Sequence, residues 1–283
     1  MTETEGMTTV AMTTAAEAPE ARGDHVIEQG WAEYGELDHA IWRRLFERQS
    51  KLLPGRACDE YLRGLRDLGV AADGIPNFEP LSEILDRTTG WRIVAVPGLV
   101  PDEIFFKHLA GRRFPVTNWI RRPEQMDYLQ EPDVFHDIFG HVPMLMNPVF
   151  GDYMQAYGRG GLKALDLGAL KKLARLYWYT VEFGLIKREE GLRIYGSGIV
   201  SSHSESVYCL ESRSPNRIAF DLMRVMNTDY RIDDFQECYF VIDSFDQLFA
   251  ATRPDFTQYY DALKGRPAIE PGALLPEDRL IEI

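Results

Sequence analysis

The sequence predicts a mainly α-helical domain with minor β-structure, an α+β fold, on three observations. Apolar residues recur at helical spacing in several separate windows. Extended signals are few and short. The 283 residues are 45% hydrophobic and 12% aromatic, enough to bury a substantial core.

Residues 1–24 are rich in Thr, Ala, Glu and Pro and contain no aromatic residue. Such a segment buries too little apolar surface to offset its ordering entropy, so a disordered tail is expected there. Met7 and Met12 leave room for a shorter start. The folded domain is expected over residues 25–283, with packed composition setting in at Trp31. Ile41, Trp42, Leu45, Phe46, Leu52 and Leu53 mark a first helix, stopped by Pro54-Gly55. Tyr61, Leu62, Leu65 and Leu68 mark a second, closed by Gly69, and Leu81, Ile84 and Leu85 a third. Trp91–Val96 reads as a strand ended by Pro97-Gly98, and a helix follows from Asp102 to Gly111. Leu167, Leu170, Leu173, Leu176, Thr180 and Phe183 predict a long helix of roughly five turns. Short extended pieces are expected near Arg193–Tyr195 and Cys238–Ile242. Neither a repeat nor an internal linker is visible.

Charge and cysteine content exclude several classes. The net charge of −13, without a Lys/Arg block, argues against nucleic acid or an anionic membrane as partner, since both need a basic face. No apolar run approaches the length of a membrane span, and Glu3 and Glu5 stand where a secretory signal is basic. Cys58, Cys209 and Cys238 are widely spaced and odd in number, which predicts reduced thiols in a cytoplasmic protein.

The informative stretch is Glu131-Pro-Asp-Val-Phe-His-Asp-Ile-Phe-Gly-His-Val-Pro143. Pro132 and Asp133 look like a helix start, with Asp133 as N-cap. Histidines four apart share one helix face, as in zinc peptidases. His136 and His141 are five apart, which on a continuous α-helix separates them by roughly 140°. They converge only if the helix breaks or changes pitch, and Gly140 is the expected break. Glu182 lies among large apolar residues, where an ionised carboxylate is costly unless paired or bound to a metal. Two imidazoles and a carboxylate with open positions form the facial triad of iron(II) oxygenases. Trp178, four residues before Glu182, would share its face and stand beside the metal.

Taken singly, each residue has an ordinary interpretation. His39 and His108 are expected to be hydrogen-bonded core histidines. Glu182 alone suits a buried partner of Arg175, Phe105 alone a core residue, and Arg121 alone a surface ion pair. Ser201, Ser202 and His203 adjoin, but no strand–elbow–helix context supports a serine hydrolase. The combination carries the metal reading.

That combination resembles the pterin-dependent aromatic amino acid hydroxylases. Glu-Pro-Asp-x-x-His-x-x-x-Gly-His-Val-Pro is similar to the family's signature, Tyr177-Trp-Tyr-Thr-Val-Glu-Phe-Gly-Leu185 to a second block, and Tyr195-Gly-Ser-Gly-Ile-Val-Ser-Ser202 to a third. The likeness runs from Trp31 to Phe256. It implies a single catalytic domain with a metal site in a deep cleft and iron(II) on His136, His141 and Glu182. It also implies a tetrahydropterin, either tetrahydrobiopterin or a related bacterial pterin, at Gly98, Leu99, Phe105 and Asp137. Arg121 would grip the substrate carboxylate bidentately, helped by Ser201, while Trp178, Pro132 and His136 wall the ring. Leu129 and Asp137 replace a threonine and a glutamate of many animal members and look like the short bacterial ones. Ile232 stands where tyrosine-hydroxylating members tend to carry an acid, and with Trp178 it points to L-phenylalanine as substrate, alongside dioxygen. A leader too short for a regulatory domain and the lack of a heptad tail predict a stand-alone monomer. The rivals are a zinc-dependent hydrolase, a 2-oxoglutarate dioxygenase and a non-catalytic amino-acid-binding protein.

Overall fold

Helices α1 (Glu36–Leu52), α2 (Asp59–Asp67) and α3 (Phe78–Thr89) form where the apolar spacing places them. The computed structural model describes residues 23–127 and 129–282. Nearly all of the tail expected over residues 1–24 therefore lies outside the described residues. Helix α1 buries Ile41, Trp42 and Leu45 on one face. Helix α3 starts on Asn77, whose side chain accepts the Glu79 N–H, and stops at Gly90 with φ 74°, the left-handed conformation a glycine C-cap supplies.

Strand β1 (Arg92–Val96), helix α4 (Asp102–Ala110) and strand β2 (Arg113–Thr117) form a β–α–β unit. The strands pair in parallel from Arg92↔Arg113 to Val96↔Thr117. Helix α5 (Pro148–Asp166) packs on α4, capped by the Asn147 side chain with Pro148 in its first turn. It is the longest described helix, and it was not expected. Gly151, Gly158, Gly160 and Gly161 depress its helix propensity, yet two of them are what the packing needs. A Cβ on Gly158 would come within 2.5 Å of the Ala110 nitrogen, and one on Gly161 within 2.1 Å of the Phe106 ring.

The long helix expected from Leu167 is shorter and carries a defect. Leu167 is exposed, Gly168 has φ 64°, and helix α6 (Leu170–Tyr177) begins beyond them. Its C-terminal continuation, Trp178–Glu182, is a π-helix. Then follow strands β3 (Leu185–Arg188) and β4 (Gly191–Ile194), helices α7 (Ser197–Val200) and α8 (His203–Glu211), strand β5 (Asn216–Ala219) and helix α9 (Leu222–Met226). Strand β6 (Cys238–Ile242) and helices α10 (Phe245–Thr252) and α11 (Thr257–Leu263) complete the order. The second sheet is ordered β4-β3-β6-β5, antiparallel between β3 and β4 and parallel elsewhere. Its outer strands are not left bare. Ala57 bridges to Ile194 of β4, and the Ala219 and Ile281 N–H groups bond the Arg279 and Arg217 carbonyls at β5.

One buried apolar cluster runs from Ile41 to Leu263. Its aromatic centre fixes the segment that carries the histidines. Phe135 stacks on Phe139 at 4.8 Å, Trp42 meets Phe135 edge-on, and the Tyr61 hydroxyl donates to the Phe139 carbonyl at 2.7 Å. The three cysteines are buried and free, as expected. His39 and His108 are hydrogen-bonded to Ile75 N–H and to the Asp24 carbonyl.

Candidate metal centre and its cavity

Two π-helical segments and one short α-helix bring the candidate ligands together. Asp133 takes the expected capping place, its Oδ1 accepting the His136 N–H at 3.0 Å. The helix does not break at Gly140 as expected. It widens instead into a π-helix over His136–His141, with the Val142 N–H bonded to the Asp137 carbonyl five residues back. Five residues make a neighbouring pair in that winding, so the interval that separates two histidines on an α-helix joins them here. Gly140 serves another end. A Cβ there would stand 3.0 Å from the Ser197 carbonyl oxygen, so the missing side chain lets α7 close on the histidine segment.

The Trp178–Glu182 segment has the same winding, its Phe183 N–H reaching the Trp178 carbonyl at 2.8 Å. Glu182 thereby faces the histidines. Arg175 is not its partner, because Arg175 is paired with Asp229.

The three donor groups form a compact set. The Nε2 atoms of His136 and His141 are 3.0 Å apart, His141 Nε2 is 3.2 Å from Glu182 Oε1, and His136 Nε2 is 3.7 Å from Glu182 Oε2. Ligands about 2.1 Å from one ion and at right angles to each other lie about 3 Å apart. Two imidazole lone pairs and a carboxylate gathered this closely repel one another unless a cation sits among them. The residues fit a metal on one face, with the other positions open.

Neighbouring groups prepare two of the three ligands, His136 and Glu182. Ser201 Oγ lies 2.9 Å from His136 Nδ1 and donates its own proton to the Ser197 carbonyl at 2.7 Å. Nδ1 of His136 must then be the protonated nitrogen, leaving Nε2 free to ligate. Burial pushes the His136 imidazole down to about 4, aided by His141 and opposed by Glu182, which keeps it neutral. Burial alone would raise Glu182, but His141, His136 and the Ser197 hydroxyl bring it to about 2. Ser197 Oγ donates to Glu182 Oε2 at 2.9 Å.

A cavity of about 550 Å³ opens beside the ligands, within the usual range for small-molecule sites. His136, Glu182, Arg121, Pro132, Trp178 and Ser201 all line it, as do Leu129 and Ile232. The Trp178 indole stacks on Tyr230 at 4.3 Å and donates from Nε1 to Gln236 Oε1 at 2.8 Å. Arg121 is neither on the surface nor wholly free. It is buried, and Asp133 accepts from its Nε at 2.8 Å and its Nη2 at 2.9 Å. Three of its five N–H donors remain, on the end of the fork.

Gly98, Leu99, Phe105 and Asp137 do not line this cavity. Asp137 accepts from both the N–H and the hydroxyl of Thr117 at the end of β2, and burial lifts it to about 7 despite His141 and Thr117. Thr117 pairs with Val96, two residues before Gly98. Leu99 is 72% exposed. Phe105 meets Tyr177 edge-on at 5.9 Å, and Tyr177 stacks on His141 at 6.3 Å. Asp137 therefore adjoins His136 in the chain and Phe105 reaches His141 through Tyr177, while Gly98 and Leu99 follow the end of β1 without a direct contact to the ligands.

The family assignment rests on this geometry together with comparison. A family model for biopterin-dependent aromatic amino acid hydroxylases matches residues 14–265. The chain belongs to that family. A phenylalanine-4-hydroxylase of Ralstonia nicotianae is 65% identical over 260 residues, 92% of this chain and 83% of that protein. A phenylalanine hydroxylase of Chromobacterium violaceum with bound oxidised Fe(III) superposes with a TM-score of 0.89 at 62% identity, covering 91% of this chain and 94% of that one. The iron- and phenylalanine-bound form of that enzyme gives 0.88 at 60% identity, covering 92% and 94%.

Sequence reasoning missed Ser197, Glu205, Gln236 and Tyr177 of this hydroxylase site, and saw Asp133 only as a cap. Ser197 and Ser201 are four apart, and Ser202-x-x-Glu205 is a capping-box pattern, so the helix-level signals were present. What those side chains touch was not. Two expected results follow. Ser201→Ala removes the acceptor that orients His136 and weakens metal binding about 10–100-fold, measured by competition with a chelator. Glu205 is pushed up to about 7 by burial, with the Tyr239 hydroxyl and the Gln236 N–H pulling the other way. A carboxyl whose folded value exceeds its unfolded one costs stability as pH rises between the two. Glu205→Gln should therefore flatten the fall in stability of the metal-free protein between pH 5 and 8, by on the order of 2–3 kcal/mol. Urea unfolding at the two pH values reads it.

Proposed function

We propose that this chain hydroxylates the ring of L-phenylalanine to give L-tyrosine, using iron(II), dioxygen and a tetrahydropterin. The observation that carries the reading is the convergence of His136, His141 and Glu182 at the wall of a cavity whose other walls suit an aromatic amino acid. When bound there, iron(II) and the reduced pterin supply the dioxygen chemistry and its electrons. The side chains do the rest. Trp178 and Pro132 flank the ring, and Gln236 holds the indole at one angle. Arg121, made rigid by Asp133, offers the end of its fork to the substrate carboxylate, a narrower grip than a free guanidinium gives. Ser201 spends its proton on Ser197 and serves the carboxylate less than it serves His136. Gly98, Leu99, Phe105 and Asp137 form the side from which a pterin approaches, where an aromatic face suits a flat heterocycle. The cavity walls hold the ring in register with the ligands and limit the water that reaches it.

Ile232 presents apolar surface and no partner for a ring hydroxyl, which with Trp178 favours phenylalanine over tyrosine. The described residues contain no helix long and apolar enough to cross a membrane, and both outer strands of the larger sheet are covered. The three buried, free cysteines suit a cytoplasmic chain, and the covered outer strands suit a monomer. The test is an anaerobically purified sample, assayed for tyrosine formed from phenylalanine with iron(II) and tetrahydropterin present or omitted. Product that requires both is the expected result. Tight zinc with no iron-dependent product favours a hydrolase instead.

A further inference from the structure

Outside the ligand set, one buried carboxylate in the cavity has no counter-charge among the described residues. Glu205 lines the same cavity as Arg121, His136 and Trp178 and is 7% exposed. Its Oε1 accepts from the Tyr239 hydroxyl and from the Gln236 N–H at 3.4 Å. Among the described residues no donor reaches Oε2, and no Lys, Arg or His pairs with Glu205. The cavity's cations are committed elsewhere, Arg121 to Asp133 and Arg48 to Asp127. Asp127, Glu131, Asp233 and Asp234 also border the opening, but all four are exposed and screened by water.

A glutamine at this position would accept the same two hydrogen bonds without the penalty of a buried charge. Stability therefore does not account for an acid here, and an arriving cation does. An α-amino acid brings one. Its carboxylate and ammonium stand on one carbon, so an anchor for the first places the second within the same cavity. We propose that Glu205 Oε2 receives the α-ammonium group of the amino-acid substrate, making Glu205 and Arg121 a two-point clamp on the zwitterion. This rests on the substrate reading above. The elevated Glu205 carboxyl agrees with it, since burial without a cation is what raises the group.

Calorimetry on the iron(II)-loaded chain under anaerobic conditions tests the clamp with two ligands, phenylalanine and 3-phenylpropanoate, which keeps ring and carboxylate but lacks the ammonium. Glu205→Gln is expected to weaken phenylalanine about 30-fold or more, and to leave 3-phenylpropanoate within about twofold. Glu205→Asp keeps the charge on a shorter arm and should fall between wild type and Glu205→Gln. Wild type itself should prefer phenylalanine over 3-phenylpropanoate by about the same 30-fold, a comparison that needs no variant to fold. Equal wild-type affinity for the two ligands, or Glu205→Gln that leaves phenylalanine unchanged or weakens both ligands alike, overturns the assignment. Those results leave the substrate reading standing. A wild-type chain that binds no phenylalanine overturns both.

Discussion

Replacing His136 or His141 with alanine is expected to remove tight iron binding and ring hydroxylation together, with turnover falling at least about 1000-fold, equivalent to about 4 kcal/mol. The two Nε2 atoms stand 3.0 Å apart and Glu182 closes the set, so either change leaves two donors where three are needed. Among the described residues, no further His, Cys, Asp or Glu is grouped with these three to take the vacated place. Ser201 is bonded to His136 and Ser197, and Asp137 is turned to Thr117. Iron content after desalting and turnover with excess iron(II) are the two readouts. A variant that keeps stoichiometric iron and full turnover contradicts the ligand assignment.

The largest loss of stability is expected from Asp133→Ala, about 3–5 kcal/mol. Asp133 is fully buried and accepts four hydrogen bonds, from the Arg121 N–H, Nε and Nη2 and from the His136 N–H. Its removal leaves a guanidinium buried without a counter-charge and uncaps the segment that bears both histidines. Uncompensated charge is the dominant cost, and the lost cap adds about 1 kcal/mol. Asp133→Asn keeps the shape but removes the charge and should fall between. Urea unfolding of the metal-free protein at pH 7 separates this from any effect of the metal. A loss below about 1 kcal/mol would mean that the Arg121–Asp133 pair contributes no more than a surface ion pair.

Much of the fold was legible because one physical signal, apolar periodicity, governs α1 to α4 and β1. Helix α5 escaped that reading for the reason it packs well. Gly158 and Gly161 are poor helix formers in isolation, but they let α4 approach, and that gain appears only when both helices are present. Strands β2, β3 and β5 are four or five residues long and carry Pro115, Lys187-Arg188 and Asn216-Arg217, so alternation within them is too brief to show. At the site, chemistry was more legible than geometry. A pair of histidines five apart demanded a change of winding, and the sequence could say that much. It named Gly140 as a break, whereas the backbone stays helical and changes pitch, because the Phe135–Phe139 stack and the Tyr61 hydroxyl hold it in the core. The partners of Arg121 and Ser201 were hidden because they are set by segments that meet only on folding.

Crystals soaked anaerobically in iron(II) and measured at the iron absorption edge address the ligand set directly. A single anomalous peak is expected about 2.1 Å from His136 Nε2, His141 Nε2 and a Glu182 carboxylate oxygen, with its remaining positions facing the cavity. A peak elsewhere, or one that touches only two of those three side chains, would contradict the site on which the proposed chemistry depends.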